Sequence, residues 1–334
     1  MQNRILNEHP LLDEQGRLFE TGWSDKELLS YNPRCIKFNR MNMKEWDSYI
    51  IFSGNGDYAL SLILADNRFT GLLGAVFYDL KGKTYYECYA PKILPAGKIT
   101  LSKSIVNGST VFKDTTTEIM FLVTDTERHI YFKSSPFIGD SIEANINLAF
   151  DKNAPLFSSV SDLDDFQFCY NQKIVDMPAS GYVKVNGVNY IFSPENDFAV
   201  LDWGRSLRTH DNLRYWCTGA GESDGKSIGI NLGYGLLNGD IVTENCVFYN
   251  SLCHKLGRIY FDIPEDRNAV WKVRSDDKKF EASIEPICDF ENNHKNRVEK
   301  SMFGKMNAEI TLDDGVKISV NDIICFCERT KNKY

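Results

Sequence analysis

Apolar residues recur along this chain at every second position far more often than at every third or fourth. Tyr58, Leu60, Leu62 and Leu64 lie on one side of an alternating run, and the apolar residues of 258–263 do the same. Val183 and Val185 lead into Asn186-Gly187, and Tyr190-Ile191-Phe192 follows. This pattern predicts a hairpin with a two-residue turn, because both turn positions want positive φ. Ile310 and Leu312, then Asp314-Gly315, then Val316, Ile318 and Val320 predict a second hairpin, and Lys81-Gly82-Lys83 separates two further aromatic-rich strands.

Helical patterning is sparse. The best stretch is residues 25–29, and no 3.6-residue apolar period runs for three turns. Many strands with turn signals about every ten residues predict an all-β barrel or sandwich. A polar, aperiodic stretch at 151–155 and 158–165 suggests a division into an N-terminal β domain, 1–160, and a C-terminal β domain, 161–334. Each part has about the length of one large barrel. A single continuous sandwich is the alternative.

Composition narrows the function classes. With 43% hydrophobic and 25% charged residues the chain can pack a core, and its 21 Phe and 16 Tyr favour strands. A net charge of -8 argues against nucleic-acid and anionic-membrane partners, which need basic surface. No stretch approaches the length of an apolar membrane span, and the N-terminus lacks a signal-peptide pattern, so a cytoplasmic location is expected. Nine cysteines at irregular spacing suit reduced thiols better than a disulfide framework.

The densest run of unusual residues is Asp202-Trp203-Gly204-Arg205, followed by Trp216, residues 227–235, and Thr243-Glu244-Asn245. Alternation puts Val200, Asp202 and Gly204 on one face and Leu201, Trp203 and Arg205 on the other. Charges entering a barrel interior must be paired or hydrogen-bonded. They are either an ion-pair network joining strands or a polar patch at a pocket. In 227–235, Gly229, Asn231, Gly233 and Gly235 share a face that leaves space above it, to be filled by aromatic side chains such as Trp203 and Trp216 or by a ligand. Glu244 shares a face with Cys246 and Phe248, where a raised pKa would suit a general acid, although it could equally accept bonds from backbone amides or Arg205. Neighbouring strands are expected to bring Asp202, Arg205, Glu244 and Asn245 to one patch. His254-Lys255 reads as a surface turn.

Several motifs fail their structural context. Gly221-Glu222-Ser223-Asp224-Gly225 has a nucleophile-elbow spacing, but a strand follows it where a helix is required. No phosphate-loop or dinucleotide fingerprint is present, so no cofactor is expected. Cys246, Cys253 and His254, and the pair Cys325 and Cys327, lack zinc-site spacing. No metal is assigned, and Cys325 and Cys327 are expected in the core of the last strand.

Residues 198–205, the Gly-Ile-Asn-Leu-Gly run ending at Gly233, and Thr243-Glu244-Asn245 resemble the central signature of the bacterial family called domain of unknown function 2804. Gly22-Trp23-Ser24, Met177-Pro178-Ala179-Ser180-Gly181, and Phe303-Gly304 with Asp314-Gly315 and Glu328 resemble its flanking motifs, in order along the chain. Two departures stand out: Ser206 follows Arg205 where the family often has Gly, and residues 299–302 replace a more usual His-Gln pair. The family's pattern is similar to that of proteins with two lipocalin-like barrels, among them carotenoid hydratases and terpenoid or tocopherol cyclases. The resemblance implies two consecutive lipocalin-like antiparallel β-barrels or sandwiches with few short helices.

The resulting expectation is a cavity for an apolar or amphiphilic small molecule. Trp203, Arg205, Trp216, Asn231 and Asn245 would bind it, and Glu244 or Asp202 would supply a proton for hydration, isomerisation or cyclisation. The rival readings are a non-catalytic carrier and a carbohydrate-active protein, for which the tryptophans and paired carboxylates would serve a sugar.

Overall fold

A computed structural model describes residues 2–93, 98–135, 139–164, 166–208, 212–266, 268–294 and 297–332; Asp165, the last residue of the polar stretch, lies outside them. The described residues form two large antiparallel sheets. The first has thirteen strands. Its main path begins Thr84–Ile93, Thr70–Asp79, Tyr58–Asp66, Met43–Phe52, Phe198–Leu207, Gln167–Val185. It continues through Ile142–Ala149, Glu127–Ser134, Thr117–Val123 and Gly108–Lys113. The second has nine strands, running from Leu252–Lys255 through Cys246–Tyr249, Lys226–Tyr234, Asn212–Ser223 and Lys317–Asn332 to Ile259–Asp262.

The hairpins form where the pattern places them. Asn186 and Gly187 both take positive φ, 48° and 91°, between Gln167–Val185 and Val188–Phe192. Asp224 and Gly225 do the same at the false nucleophile elbow, between Asn212–Ser223 and Lys226–Tyr234. Residues 25–29 form no helix. Leu29–Ser30 pairs in parallel with His9–Pro10, and the Glu27 carboxylate accepts from Ser104 Oγ at 2.5 Å and Ile105 N at 3.0 Å. Among the described residues the helical turns are two 3₁₀ segments, Pro33–Cys35 and Arg40–Asn42.

Sheet membership changes between Leu207 and Asn212, not near residue 160. The polar stretch is followed by strands that pair back into the first sheet. The cause is the 19-residue strand Gln167–Val185, which pairs with Phe157–Asp164 and Phe198–Leu207 in its first half and with Ile142–Ala149 and Val188–Phe192 in its second. A bulge at 174–177, with Asp176 at φ 77°, redirects it between these partners.

From Gln167 to Val175 that strand is buried on both faces. Phe168, Tyr170 and Ile174 join the core of the first sheet. Val175 joins a third apolar cluster with Phe52, Phe157, Val200, Trp216, Phe303 and Phe326, drawn from both sheets. The two sheets therefore meet face to face on an apolar seam, and the candidate residues of 198–205 lie on the strand beside it.

Candidate functional site

The register pairs Lys173 with Asp202 and Gln172 with Trp203. Period-two alternation then divides the Asp-Trp-Gly-Arg run between two environments. Asp202 faces the second sheet, whereas Trp203 and Arg205 face the interior of the first.

At the seam, Asp202 Oδ1 lies 2.7 Å from Lys173 Nζ, and Asp202 Oδ2 lies 3.2 Å from Arg214 Nη2. Glu244 Oε2 lies 3.6 Å from the same ammonium and 3.7 Å from the same guanidinium. Two cations and two carboxylates thus neutralise one another, with Lys173, Asp202 and Glu244 almost wholly buried. Burial pushes the Asp202 carboxyl up, but Lys173 and Arg214 overcome it and hold it well below the usual carboxylate range. Burial pulls Arg214 down, and Asp202 and Glu244 more than restore it. Asp202 is thereby held as a carboxylate between two cations. The Lys173 ammonium also sits 4.6 Å from the centre of the Trp216 ring.

Thr243-Glu244-Asn245 is a gripped loop ahead of Cys246–Tyr249. Gln2 Oε1 accepts from Thr243 N, Asn231 Nδ2 donates to Glu244 O at 2.7 Å, and Asn245 Oδ1 accepts from Gly233 N at 2.6 Å. Asn245 Nδ2 donates to Gly257 O, and Trp216 Nε1 donates to Asn231 Oδ1. Asn231, Asn245 and Trp216 thus spend these polar groups on the protein. The bare glycine face is filled by protein as well. A Cβ on Gly229 would lie 2.8 Å from Val175 Cγ1, and one on Gly233 would lie 2.8 Å from Glu244 Oε1. The neighbouring side chains explain why glycine stands at both positions.

Glu244 differs from Asp202, whose carboxylate accepts from Asn171 Nδ2 at 2.8 Å. Neither of the Glu244 carboxylate oxygens has a hydrogen-bond partner, although the side chain is buried. It lines a cavity of about 490 Å³ with Tyr234, Leu237, Val242, Ile259 and Phe261. Tyr234 stacks on Tyr215 with ring centres 4.6 Å apart, so one wall is aromatic.

Arg205 does not join this group, contrary to expectation. Inside the first sheet it donates to Asp47 Oδ1 at 2.9 Å, to Trp46 O at 2.9 Å and to Gly204 O at 2.8 Å, and lies 3.8 Å from the centre of the Trp203 ring. Glu45 completes that cluster through Tyr31 and Arg68. The first-sheet cluster is a structural network. Trp203 and Trp216 are 1% and 5% exposed, so neither offers a face to a sugar ring. His254-Lys255 is no surface turn: it ends the strand Leu252–Lys255, His254 is buried, and Lys255 Nζ donates to Thr243 Oγ1, Asn245 O and Leu256 O.

Sequence reasoning missed Lys173 and Arg214. Their signal is a polar Asn171-Gln172-Lys173 step inside a strand that is apolar around it, and an Arg two residues before Trp216.

No curated protein matches the sequence. Solved structures do match in fold. Kievitone hydratase from Nectria haematococca aligns over 93% of this chain and 96% of its own, with a TM-score of 0.51 and 12% identity. CghA with Sch210972 aligns over 87% and 89%, with a TM-score of 0.54 and 10% identity. A putative AttH from Nitrosomonas europaea aligns over 90% and 96%, with a TM-score of 0.52 and 10% identity. At such identities the likeness establishes the all-β fold. The signature that frames Asp202 and Glu244 has a wider setting: the model of the family described as Domain of unknown function (DUF2804) matches residues 2–334, and the chain belongs to that family.

Proposed function

We propose that the protein binds an apolar or amphiphilic small molecule in the cavity beside Glu244, and that this carboxylate takes a hydrogen bond or a proton from it. One observation carries the reading: a buried carboxylate with both oxygens free of hydrogen bonds lines a largely apolar cavity. A ligand hydroxyl would satisfy those oxygens, and Lys173 and Arg214 would balance the charge as a proton moves. Asp202 and Asn231 act at one remove, by fixing the cations and the Glu244 backbone. Hydration, isomerisation or cyclisation of the ligand is the chemistry that fits. The names of the fold relatives support this direction, since one is a hydratase and another is described with a small molecule.

The test is native mass spectrometry of the protein purified from its own host. A small-molecule adduct is expected, and Leu237→Trp, which fills the cavity, is expected to remove it. Glu244→Gln is expected to weaken the adduct without emptying the cavity. A wild-type protein with no adduct, or an adduct unaffected by Leu237→Trp, would refute the reading.

A further inference from the structure

Within the apolar core of the second sheet three thiols meet. The sulfurs of Cys217, Cys325 and Cys327 all lie within 4.8 Å of one another, and all three residues are buried. Cys217 pairs directly with Cys327 across the Asn212–Ser223 and Lys317–Asn332 strands. On the other side of Lys317–Asn332, Cys327 pairs with Met302 and Cys325 with Gly304. Met302 and Met306 are buried in the same core, and the Met302 sulfur lies 3.0 Å from where a Cβ on Gly304 would stand. The Met302 thioether therefore packs against Gly304, the strand partner of Cys325.

We propose that Cys217, Cys325 and Cys327 form a binding site for a soft monovalent metal ion, Cu(I). Three considerations select the ion. Thiolate and thioether ligands favour Cu(I) over harder cations. Among the described residues no fourth His, Cys, Asp or Glu joins the group, whereas a structural zinc site needs four ligands. The surroundings are apolar, so net charge is costly there. A Cu(I) ion reaches neutrality by displacing one thiol proton to the buffer, whereas a divalent ion must displace two, each from a buried thiol.

The test uses the full reduced chain, anaerobically, with Cu(I) supplied and competed by bicinchoninate. One equivalent is expected to be retained. X-ray absorption at the copper edge is expected to show only sulfur neighbours, at about 2.3 Å, the usual metal–thiolate distance. Cys217→Ala is expected to abolish retention, and Cys35→Ser, at a partly exposed cysteine elsewhere, to leave it at one equivalent. Because the absorption measurement is made on the unsubstituted protein, it stands even where Cys217→Ala fails to fold. No retained copper, nitrogen or oxygen neighbours in the spectrum, or retention by a folded Cys217→Ala protein would each overturn the site.

Discussion

Asp202 and Glu244 reach the same ammonium from opposite sides of the seam between the sheets, at 2.7 Å and 3.6 Å from Lys173 Nζ. Glu244 reaches Lys173, the strand partner of Asp202, and Asp202 reaches Arg214 on the second sheet, so the two cations join the sheets electrostatically.

Removing that cation is expected to be severe. Lys173→Met leaves two buried carboxylates against Arg214 alone, and loss of one partner in a buried network costs about 3–5 kcal/mol. Lys152→Met, at an exposed pair with Asp125, is expected to cost no more than about 1 kcal/mol. Urea unfolding of both variants checks this, and equal effects would show that the seam charges contribute little.

The two charge clusters are expected to behave independently. Asp202→Asn and Glu244→Gln share Lys173 and Arg214, so their double-mutant cycle should show a coupling above about 0.5 kcal/mol. Asp202→Asn and Glu45→Gln lie on opposite faces of the first sheet and should add within about 0.5 kcal/mol. Coupling in the second cycle as large as in the first would contradict the separation.

Gly233→Ala is expected to destabilise by about 1–3 kcal/mol, because its Cβ would meet Tyr215 O at 2.7 Å and Glu244 Oε1 at 2.8 Å. Gly239→Ala, with nothing within 4 Å, is expected to change stability by no more than about 0.5 kcal/mol. Paired denaturation curves give the answer directly.

The pH dependence follows from Lys255, which burial pulls down to about 8. Unfolded, a lysine titrates near 10.4. Between these values the unfolded chain holds a proton that the folded chain has released, so stability rises with pH in that window. Buried thiols such as Cys169 and Cys327, pushed up by burial, act in the opposite sense, so the Lys255 contribution is read as a difference: the stability of wild type relative to Lys255→Met should grow by on the order of 1–2 kcal/mol from pH 8 to 10. Lys44, pulled to about 8 by burial and then by Arg208, accounts for a residual slope. Asp202 acts at the other end: its depressed pKa gives stability that is present above the unfolded value near 3.9 and is lost as acid protonates it. An identical slope in Lys255→Met and wild type would exclude Lys255 as the source.

All nine cysteines are free, and Cys35 and Cys253 are the two that are not buried. Native protein should react rapidly with a thiol reagent at no more than these two positions, with Cys35 first. Unfolded, unreduced protein should yield all nine groups. A shortfall after unfolding would reveal a disulfide.

Much of the fold was legible because strand alternation and turn chemistry are local. The Asn186-Gly187 hairpin needs only two residues that accept positive φ. The opposite facing of Asp202 and Arg205 follows from a period of two, which already argues against their meeting at one patch. The lack of long helices and the burial of Cys325 and Cys327 were equally plain. Residues 25–29 misled because a weak helical preference over five residues yields to sheet pairing and to the bonds that Glu27 makes with a distant loop.

Alternation and turn residues set most of the strands and turns, and which side chains share a face. Which faces meet depends on pairing across the whole chain. Lys173 and Arg214 join Asp202 and Glu244, Val175 fills the space over Gly229, and Cys217 reaches Cys325 and Cys327, all through pairings between strands far apart in the chain. The reason is physical. Alternation is set by backbone geometry within a few residues, whereas register and sheet-on-sheet contact are set by the summed packing of whole strands, which no local pattern specifies.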